Sequence, residues 1–474
     1  MYLDLDGHGA AYEQLARALK RAILDGRIAA GHRLPATREL ADTLGLSRNT
    51  VLTAYELLCA EGLARARHGS GTYVNDVANR SPAGRSAETV KPQSRFAARL
   101  RKLPPTSMGR KLPGIRYDLQ YGEPMINLPL INRWRSELTA AAARAAIQYP
   151  PSQGVRALRE AISDYLARRR GIATNADEVI IVGGTQQAVS LAARVLLDEG
   201  DSAVVEEPHY VMASHALRAL GARLVHVPTD DQGLMVQALP RRSPGFIFTT
   251  PSHQFPSGSV MSLARRKELL QYAVDRDTWI FEDDYDAEFR YDSRPIPALR
   301  SLDLHNRVIY VGTFSKALFP SLRLAYMVCP PGLKADFVNA KRYEDLGCSA
   351  IDQTAMATFM ESGRFETHLR KAIVELRKRR GCLLDGIKRH AGDAIQVTDS
   401  RAGMHAVGWL PRLSFAQLDR LIELSASRGL GLHPIHRYYR KAPPQPGLLL
   451  GFAGLSVLQL NAATKLLGAC LRDV

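Results

Sequence analysis

Three short clusters carry side chains suited to chemistry on an aldehyde-bearing ring. In VGTFSKALFPSLRLAYMV (311–328), Lys316 is flanked by apolar residues at a predicted strand end. Partial desolvation there favours the neutral, nucleophilic amine, which condenses with aldehydes. Ser315 and Arg323 add a hydroxyl and a fixed cationic fork, both suited to a phosphate. In FEDDYDAEFRY (281–291), Asp283 ends an apolar strand, and Tyr285, two residues on, points the same way. A carboxylate at that edge keeps a pyridine nitrogen protonated and makes the ring an electron sink, while the tyrosine hydroxyl reaches a ring oxygen. In VGGTQQAV (182–189) a glycine-rich turn opens a helix, where backbone N–H groups favour a phosphate dianion. Each cluster alone has a plain alternative: a solvated lysine, a metal or surface pair at Asp283 and Asp284, a tight turn at Gly183 and Gly184. Together, in the order phosphate turn, acid, lysine, they predict a site for pyridoxal 5'-phosphate.

Five apolar, mostly β-branched runs must position these groups: EVIIV (178–182), SAVVEE (202–207), GFIFTT (245–250), TWIFED (278–283) and RVIYVG (307–312). Longer Ala/Leu-rich segments separate them. Near-continuous apolar strands alternating with helices predict a mainly parallel α/β sheet covered on both faces, over residues 113–474. Residues 77–112 hold several Pro, Gly and Ser with few large apolar side chains, the composition of a flexible linker. Their nine Lys/Arg face Glu88 alone, so half of the chain's net charge of +16 sits there, whereas nine bases and nine acids cancel in residues 1–76. A basic balance by itself is weak evidence for nucleic acid.

The 474 residues allow two to four domains, and 46% hydrophobic with 23% charged residues is ordinary for a globular protein with a large core. No apolar stretch approaches the roughly 20 residues needed to cross a bilayer. The start, MYLDLDGHGA, lacks the layout of a secretion signal, so a cytoplasmic location is expected. Cys59, Cys329, Cys348, Cys382 and Cys470 are scattered; no close pair suggests zinc or a redox couple, and no metal is expected.

Residues 1–76 read differently. AYEQLARALKRAILDGRI (11–28) places Leu15, Leu19, Ala22 and Ile23 at helical spacing. In LPATRELADTLGLSRNTVLTAYELLCAEGL (34–63), Thr37 is expected to cap a helix ending near Leu44, Gly45 to turn the chain, and Ser47 to cap a second helix from Arg48 to Ala60. Val51, Tyr55 and Leu58 face inward on that helix, leaving Arg48, Asn49 and Thr50 outward at its N-terminal end. A helix-turn-helix sets that end in the major groove, where Arg suits guanine and Asn suits adenine. RARHGSGTYV (65–74) reads as two short strands around Gly69-Ser70-Gly71, a basic wing able to lie along phosphate.

The run GHRLPATRELADTLGLSRNTVLTAYELLCAEGL followed by GSGTYV closely resembles the GntR family of winged-helix regulators, over residues 11 to about 75. The resemblance implies DNA contacts from Arg38, Arg48, Asn49, Thr50, Arg67, His68 and Gly69, with helix capping or a salt bridge as the alternative role of Arg38. YPPSQGVRALREAI (149–162), EEPHY (206–210), TPSHQFPSG (250–258), EDDYDAEFRY and GTFSKALFPSLRLAY resemble the fold-type I, aspartate-aminotransferase-like family. More narrowly, they look like its MocR/GabR-type subgroup, which joins a GntR head to such a domain with a smaller C-terminal α+β subdomain. That resemblance covers essentially the whole chain. It implies that Lys316 carries the cofactor as a Schiff base, Asp283 pairs with its pyridine nitrogen and Tyr285 bonds its ring hydroxyl. Tyr210 would stack on the ring, and Gly184, Thr185, Gln186, Ser315 and Arg323 would hold the phosphate. Tyr149 would come from the other subunit of a homodimer.

One departure stands out. Aminotransferases of this kind usually place an arginine before the last strand to clamp a substrate carboxylate; here GLLLGFAGL (447–455) puts Leu449 there. Arg437 in HPIHRYYR (433–440) could substitute, with a surface role equally open. The expected function is a transcriptional regulator that binds a double-stranded DNA operator and senses a small amine, an amino acid or pyridoxal phosphate itself at Lys316. The alternatives are a working aminotransferase with a DNA-binding head, and a large domain that serves dimerisation alone.

Overall fold

The computed structural model describes residues 5–67, 69–75, 94–104, 113–123, 125, 128–144, 148–291, 297–398 and 402–474. It divides into two compact units, Met1–Lys91 and Pro92–Val474.

In the first unit, α1 (Ala11–Leu24) buries Leu15, Ala18, Leu19, Ala22 and Ile23, the stripe its sequence spacing dictates. These pack with Leu40, Val51, Tyr55 and Leu58 from α2 (Thr37–Leu44) and α3 (Arg48–Ala60). Gly45 ends α2 in the left-handed region at φ 65°, and the Ser47 side chain accepts from the Thr50 N–H at 3.1 Å to start α3. Thr37 is not a cap: Ala36 holds that position without a side-chain bond and Thr37 begins the helix. The Tyr55 hydroxyl donates to the Pro35 carbonyl at 2.9 Å, fixing the approach to α2 from the far side. A two-stranded wing follows, β1 (Ala64–Arg67) antiparallel to β2 (Gly71–Val74).

The second unit departs from the linker expectation at its start. Within 77–112, α4 (Arg95–Leu100) is a helix capped by Ser94, and it lies on the large unit. The Arg99 Nε–H donates to the Ala219 carbonyl at 2.8 Å, and its guanidinium pairs with Glu199 at 2.9 Å. The expectation rested on polar composition, and this ion pair gives one of those charges a fixed partner; residues 77–93 and 105–112 lie outside the described residues.

Then come β3 (Tyr117–Asp118), α5 (Leu128–Ala143) and α6 (Arg156–Arg170), and the alternation that builds the main sheet. This is β4 (Val179–Val182), α7 (Thr185–Leu196), β5 (Ser202–Glu207), α8 (Val211–Leu220), β6 (Arg223–Asp230), β7 (Gly233–Leu234), β8 (Phe246–Thr249), α9 (Leu263–Asp275), β9 (Trp279–Asp284), β10 (Val308–Thr313), α10 (Phe314–Ala317) and β11 (Ala325–Val328). The eight strands lie in the order β4-β11-β10-β9-β8-β5-β6-β7. Neighbours from β10 to β6 are parallel, and β11 runs antiparallel to both β10 and β4. Two apolar clusters, one around Ile180, Phe248 and Phe281 and one around Ile247, Leu269 and Ile280, cover its two faces, as continuous apolar strands require.

The C-terminal part is a four-stranded sheet, β12 (Gln396–Thr398), β13 (His405–Trp409), β16 (Gly447–Gly451) and β15 (His433–Pro434), with long helices. The intervening β14 (Leu430–Gly431) pairs in parallel with β3. The Gly451 N–H donates to the Leu119 carbonyl at 2.8 Å, so residues before the main sheet are woven into the part that follows it. Among the described residues no helix is long and apolar enough to cross a membrane.

Candidate cofactor site and nucleic-acid interface

Strands β4, β5, β6, β8, β9 and β10 run in one direction, so their carboxyl ends share an edge, the usual ligand-binding edge of such sheets. At the end of β4, Gly184 starts α7 at φ 131°. A Cβ there would stand 2.8 Å from Arg323 Nη2, so the missing side chain lets that guanidinium lie against the helix start. At the end of β10 the Thr313 hydroxyl accepts from the Ser315 N–H at 3.2 Å, and the single turn of α10 presents Ser315 and Lys316. Thr185, Gln186, Tyr210, Asp283, Tyr285, Ser315, Lys316 and Arg323 line one cavity of about 190 Å³. Tyr121, Thr250, Phe255, Thr313 and Pro320 complete its wall.

Side-chain alternation along β9 separates three consecutive acids. Glu282 accepts from the backbone N–H groups of Leu299 and Arg300 at 2.7 and 2.8 Å. Asp284 turns the same way, into a buried pair with Arg170 at 2.5 Å and a bond from the Tyr310 hydroxyl at 2.6 Å. Asp283 alone faces the cavity, so the two aspartates form neither a metal pair nor a surface pair. Its Oδ1 is buried with no hydrogen-bond partner among the described residues. Burial, then Asp284 and Asp286, raise its carboxyl far above the ordinary range, against the pull of Lys316. A buried acceptor lacking a donor fits a ring nitrogen that carries a proton.

Lys316 is lowered from the usual lysine range by burial, against Asp286, Asp283 and Glu123. Its Nζ lies 4.7 Å from the centre of the Tyr121 ring. Gly122, at φ 88°, leaves room for it: a Cβ there would be 2.8 Å from Nζ.

Behind Tyr285 lies a chain of buried polar groups that sequence reasoning missed. The Tyr285 hydroxyl is 3.0 Å from His253 Nδ1, which is 3.0 Å from Asp286 Oδ2. His405 packs on His253 with ring centres 5.1 Å apart and is lowered to about 3 by burial and by His253. These residues come from distant segments and share no spacing signal; His253 sits inside the phrase TPSHQFPSG, the only hint available. Tyr121 has no sequence signal at all.

Leu449 is fully buried with Phe255, Tyr285, Val407 and Ile435, directly behind the cavity, and Arg437 is exposed. Tyr149 is 85% exposed and stands apart from the residues gathered in this chain's cavity.

In the first unit Arg38, Arg48 and Asn49 are exposed, and Thr50 is half-buried with its hydroxyl 2.8 Å from that of Ser47. Arg38 and Arg48 make no hydrogen bond or ion pair among the described residues. Ser47 directs the first turn of α3, with Arg48 and Asn49 on it, outward. In the wing, Arg67 lies over the Tyr73 ring at 5.1 Å and Gly69 takes φ 73°. His68 lies outside the described residues.

Residues 11–74 match the gntR family of bacterial regulatory proteins, and residues 118–425 match the class I and II aminotransferases. The chain is 36% identical over 460 residues to the probable rhizopine catabolism regulatory protein MocR of Rhizobium meliloti, covering 96% of this chain and 92% of that protein. It is 29% identical over 441 residues to the HTH-type pyridoxine biosynthesis transcriptional regulator PdxR of Corynebacterium glutamicum, covering 93% and 91%. Among solved structures, the alpha-aminoadipate aminotransferase LysN of Thermus thermophilus, complexed with N-(5'-phosphopyridoxyl)-L-leucine, aligns with a TM-score of 0.69 at 27% identity, over 80% of this chain and 95% of that one.

Proposed function

The chain belongs to the MocR-type regulators, which join a gntR-family head to a class I and II aminotransferase domain, and from that premise we propose which residues hold the cofactor and what is sensed. The protein is a pyridoxal-phosphate-dependent transcriptional regulator that binds DNA through its N-terminal unit. When bound, pyridoxal phosphate supplies an aldehyde carbon open to reversible capture by a neutral primary amine, and a ring nitrogen whose protonation draws electrons from that carbon.

Lys316 holds the cofactor: it stands in the cavity with Asp283, and burial lowers its amine from the usual lysine range, towards the nucleophilic form. Asp283 faces the ring nitrogen, Tyr285 bonds the ring hydroxyl and Tyr210 flanks the ring. Gly184, Thr185, Gln186, Ser315 and Arg323 gather the phosphate. Tyr149 serves the site of a second copy in a homodimer, which accounts for its exposure here. The observation that carries this reading is the orphaned carboxylate of Asp283 in the same cavity as Lys316.

An amine effector would take the place of Lys316, whose released Nζ would lie near Asp286 and Asp283. The consequent rearrangement at the cavity reaches the head through residues 77–112. An effector moves such an equilibrium only by binding the two states unequally. With Leu449 buried at the position of the usual carboxylate clamp, the favoured effector is an amine that needs no clamp there. The relative named for control of pyridoxine biosynthesis favours a second reading, in which pyridoxal phosphate itself is the signal.

Arg38, Arg48, Asn49, Thr50, Arg67, His68 and Gly69 contact a duplex operator, with Arg48 and Asn49 at base edges. The test is the absorbance spectrum of purified protein given pyridoxal phosphate. A Schiff-base band that Lys316→Ala abolishes, and that selected amines shift together with operator affinity, supports the reading. A colourless wild type, or a band unchanged in Lys316→Ala, sinks it.

A further inference from the structure

Outside the cofactor cavity, three metal-ligating side chains converge where β5 ends and β6 runs beside it. Glu207 ends β5, His209 follows two residues on, and His226 lies on β6. The ligand atoms of all three lie within 4.8 Å of one another. His226 Nδ1 is 2.9 Å from Glu207 Oε2, and His209 Nδ1 is 3.6 Å from the same oxygen, too far for a hydrogen bond.

The protonation of His209 follows from its neighbours. The Ser214 hydroxyl donates to the Val211 carbonyl at 2.8 Å, so the Ser214 oxygen is left to accept from His209 Nε2, 3.0 Å away. The proton of a neutral His209 therefore sits on Nε2, and Nδ1 carries a lone pair. That Nδ1 is buried, belongs to a side chain only 7% exposed, and has no hydrogen-bond partner among the described residues. It points at a carboxylate oxygen that is likewise an acceptor. Two acceptors facing each other in a desolvated place leave room and demand for a cation between them.

The surroundings prepare the other two ligands. The Arg440 N–H donates to Glu207 Oε1 at 2.5 Å, which orients the carboxylate with Oε2 turned towards the two histidines. The Nε2 of His226 lies 3.5 Å from the guanidinium of Arg218, an exposed side chain with room to turn away. Outer partners that fix ligand tautomer and orientation are what built metal sites possess.

The geometry points to a divalent transition-metal site, of the zinc class, formed by Glu207 Oε2, His209 Nδ1 and His226 Nδ1. Two imidazoles and one carboxylate suit zinc and its late first-row neighbours rather than calcium or magnesium, which take oxygen ligands. Binding exchanges metal-bound water for the three side chains and moves the single His226 proton from Nδ1 to Nε2, with Arg218 turning away from the new N–H. The sequence reading expected no metal because it looked for cysteine pairs; these ligands stand two and then 17 positions apart, at the end of β5, in the segment after it and on β6. The site adjoins Tyr210 of the cofactor cavity, and the His209 N–H donates to the Tyr438 carbonyl at 3.1 Å, so a bound ion would stiffen the segment that carries Tyr210. No ligand belongs to the cofactor site, and the proposal stands whether or not the sensing scheme above holds.

The experiment uses full-length protein loaded with pyridoxal phosphate and freed of metal with a chelator. Zn2+ is titrated by calorimetry and Co2+ by its visible ligand-field bands. The expected result is one tight equivalent per chain, lost in both His209→Ala and Glu207→Gln, with the thermal midpoint of metal-free protein reporting their folding. Ser214→Ala should weaken binding by about 10- to 100-fold, as loss of an outer partner does. The absence of a tight equivalent in the wild type, or its survival in either folded ligand variant, overturns the proposal.

Discussion

Gly184→Ala is the substitution for which the structure makes the sharpest statement about cofactor binding. Its φ of 131° with ψ of 167° belongs to a region that only glycine occupies without strain, so any Cβ costs roughly 1–3 kcal/mol in the backbone alone. The added carbon also meets the Arg323 guanidinium at 2.8, 3.1 and 3.2 Å. Of the two partners the guanidinium is the softer, and it moves away from the start of α7. If Arg323 binds the phosphate, the variant loses a charge-assisted bond worth about 1.5–3 kcal/mol. At 1.4 kcal/mol per decade, that is roughly a 10- to 100-fold weaker affinity for pyridoxal phosphate. The neighbouring Gly183 is the control: its Cβ would meet only Gln187 Oε1 at 3.5 Å and the Arg323 carbonyl at 3.9 Å, ordinary contacts, at a negative φ. Cofactor titration followed by absorbance should therefore separate the two variants, and thermal unfolding without cofactor should show a drop of a few degrees for Gly184→Ala. Equal affinities for Gly184→Ala and the wild type, or equal losses at the two positions, would refute the placement of the phosphate.

Three other outcomes follow from the same structure. Burial, reinforced by Asp284, raises Glu288 to about 7. The folded protein thus holds this proton more tightly than the unfolded chain, and the resulting stability is complete below about pH 4.5 and lost as pH rises through 7. Glu288→Gln should remove that decline and melt above the wild type at about pH 8; an unchanged slope of melting temperature across the window counts against it. Asn49→Ala should erode discrimination between cognate and random duplexes by about 1–3 kcal/mol in competition binding, whereas a uniform loss on all sequences would reassign the residue to phosphate. Arg99→Ala should leave the salt dependence of DNA binding unaltered, because its guanidinium is engaged by Glu199 and Ala219; a slope flattened by about 0.9 would show that it reaches phosphate instead.

The sheet was legible because parallel strands buried on both faces must be almost wholly apolar, and runs such as EVIIV and RVIYVG have no other use. Lys316, Asp283 and Gly184 could be singled out for a related reason: each stands at the end of such a run or within four residues after it, and strand ends in this architecture share an edge. The relay behind Tyr285 was not legible, since His253 and Asp286 meet between the segments that follow the neighbouring strands β8 and β9, and His405 joins them from the C-terminal sheet, contacts no local pattern encodes. Charge misled at Arg99, where composition suggests solvent or DNA and the structure supplies a carboxylate 100 residues away. Thr37 misled for a smaller reason: cap preferences fix a helix start to within a residue, and Ala36 took the place.

Leu449 links the fold to the question of what is sensed. Fully buried in an apolar cluster with Phe255 and Tyr285, it occupies ground where an arginine would have to be desolvated. An unpaired buried guanidinium costs several kcal/mol, so the apolar cluster and a carboxylate clamp at this position exclude each other. The wall on this side is aromatic instead: Phe255 stands 4.9 Å from Tyr121, 6.0 Å from Tyr210 and 5.0 Å from Tyr438, ring centre to ring centre. Covalent capture needs only the neutral amine and the acid at the ring, whereas repeated turnover also needs the substrate held in one orientation. A cavity that keeps the first set of groups and fills the anchor of the second with leucine is suited to reading the shape of an amine from its apolar surface.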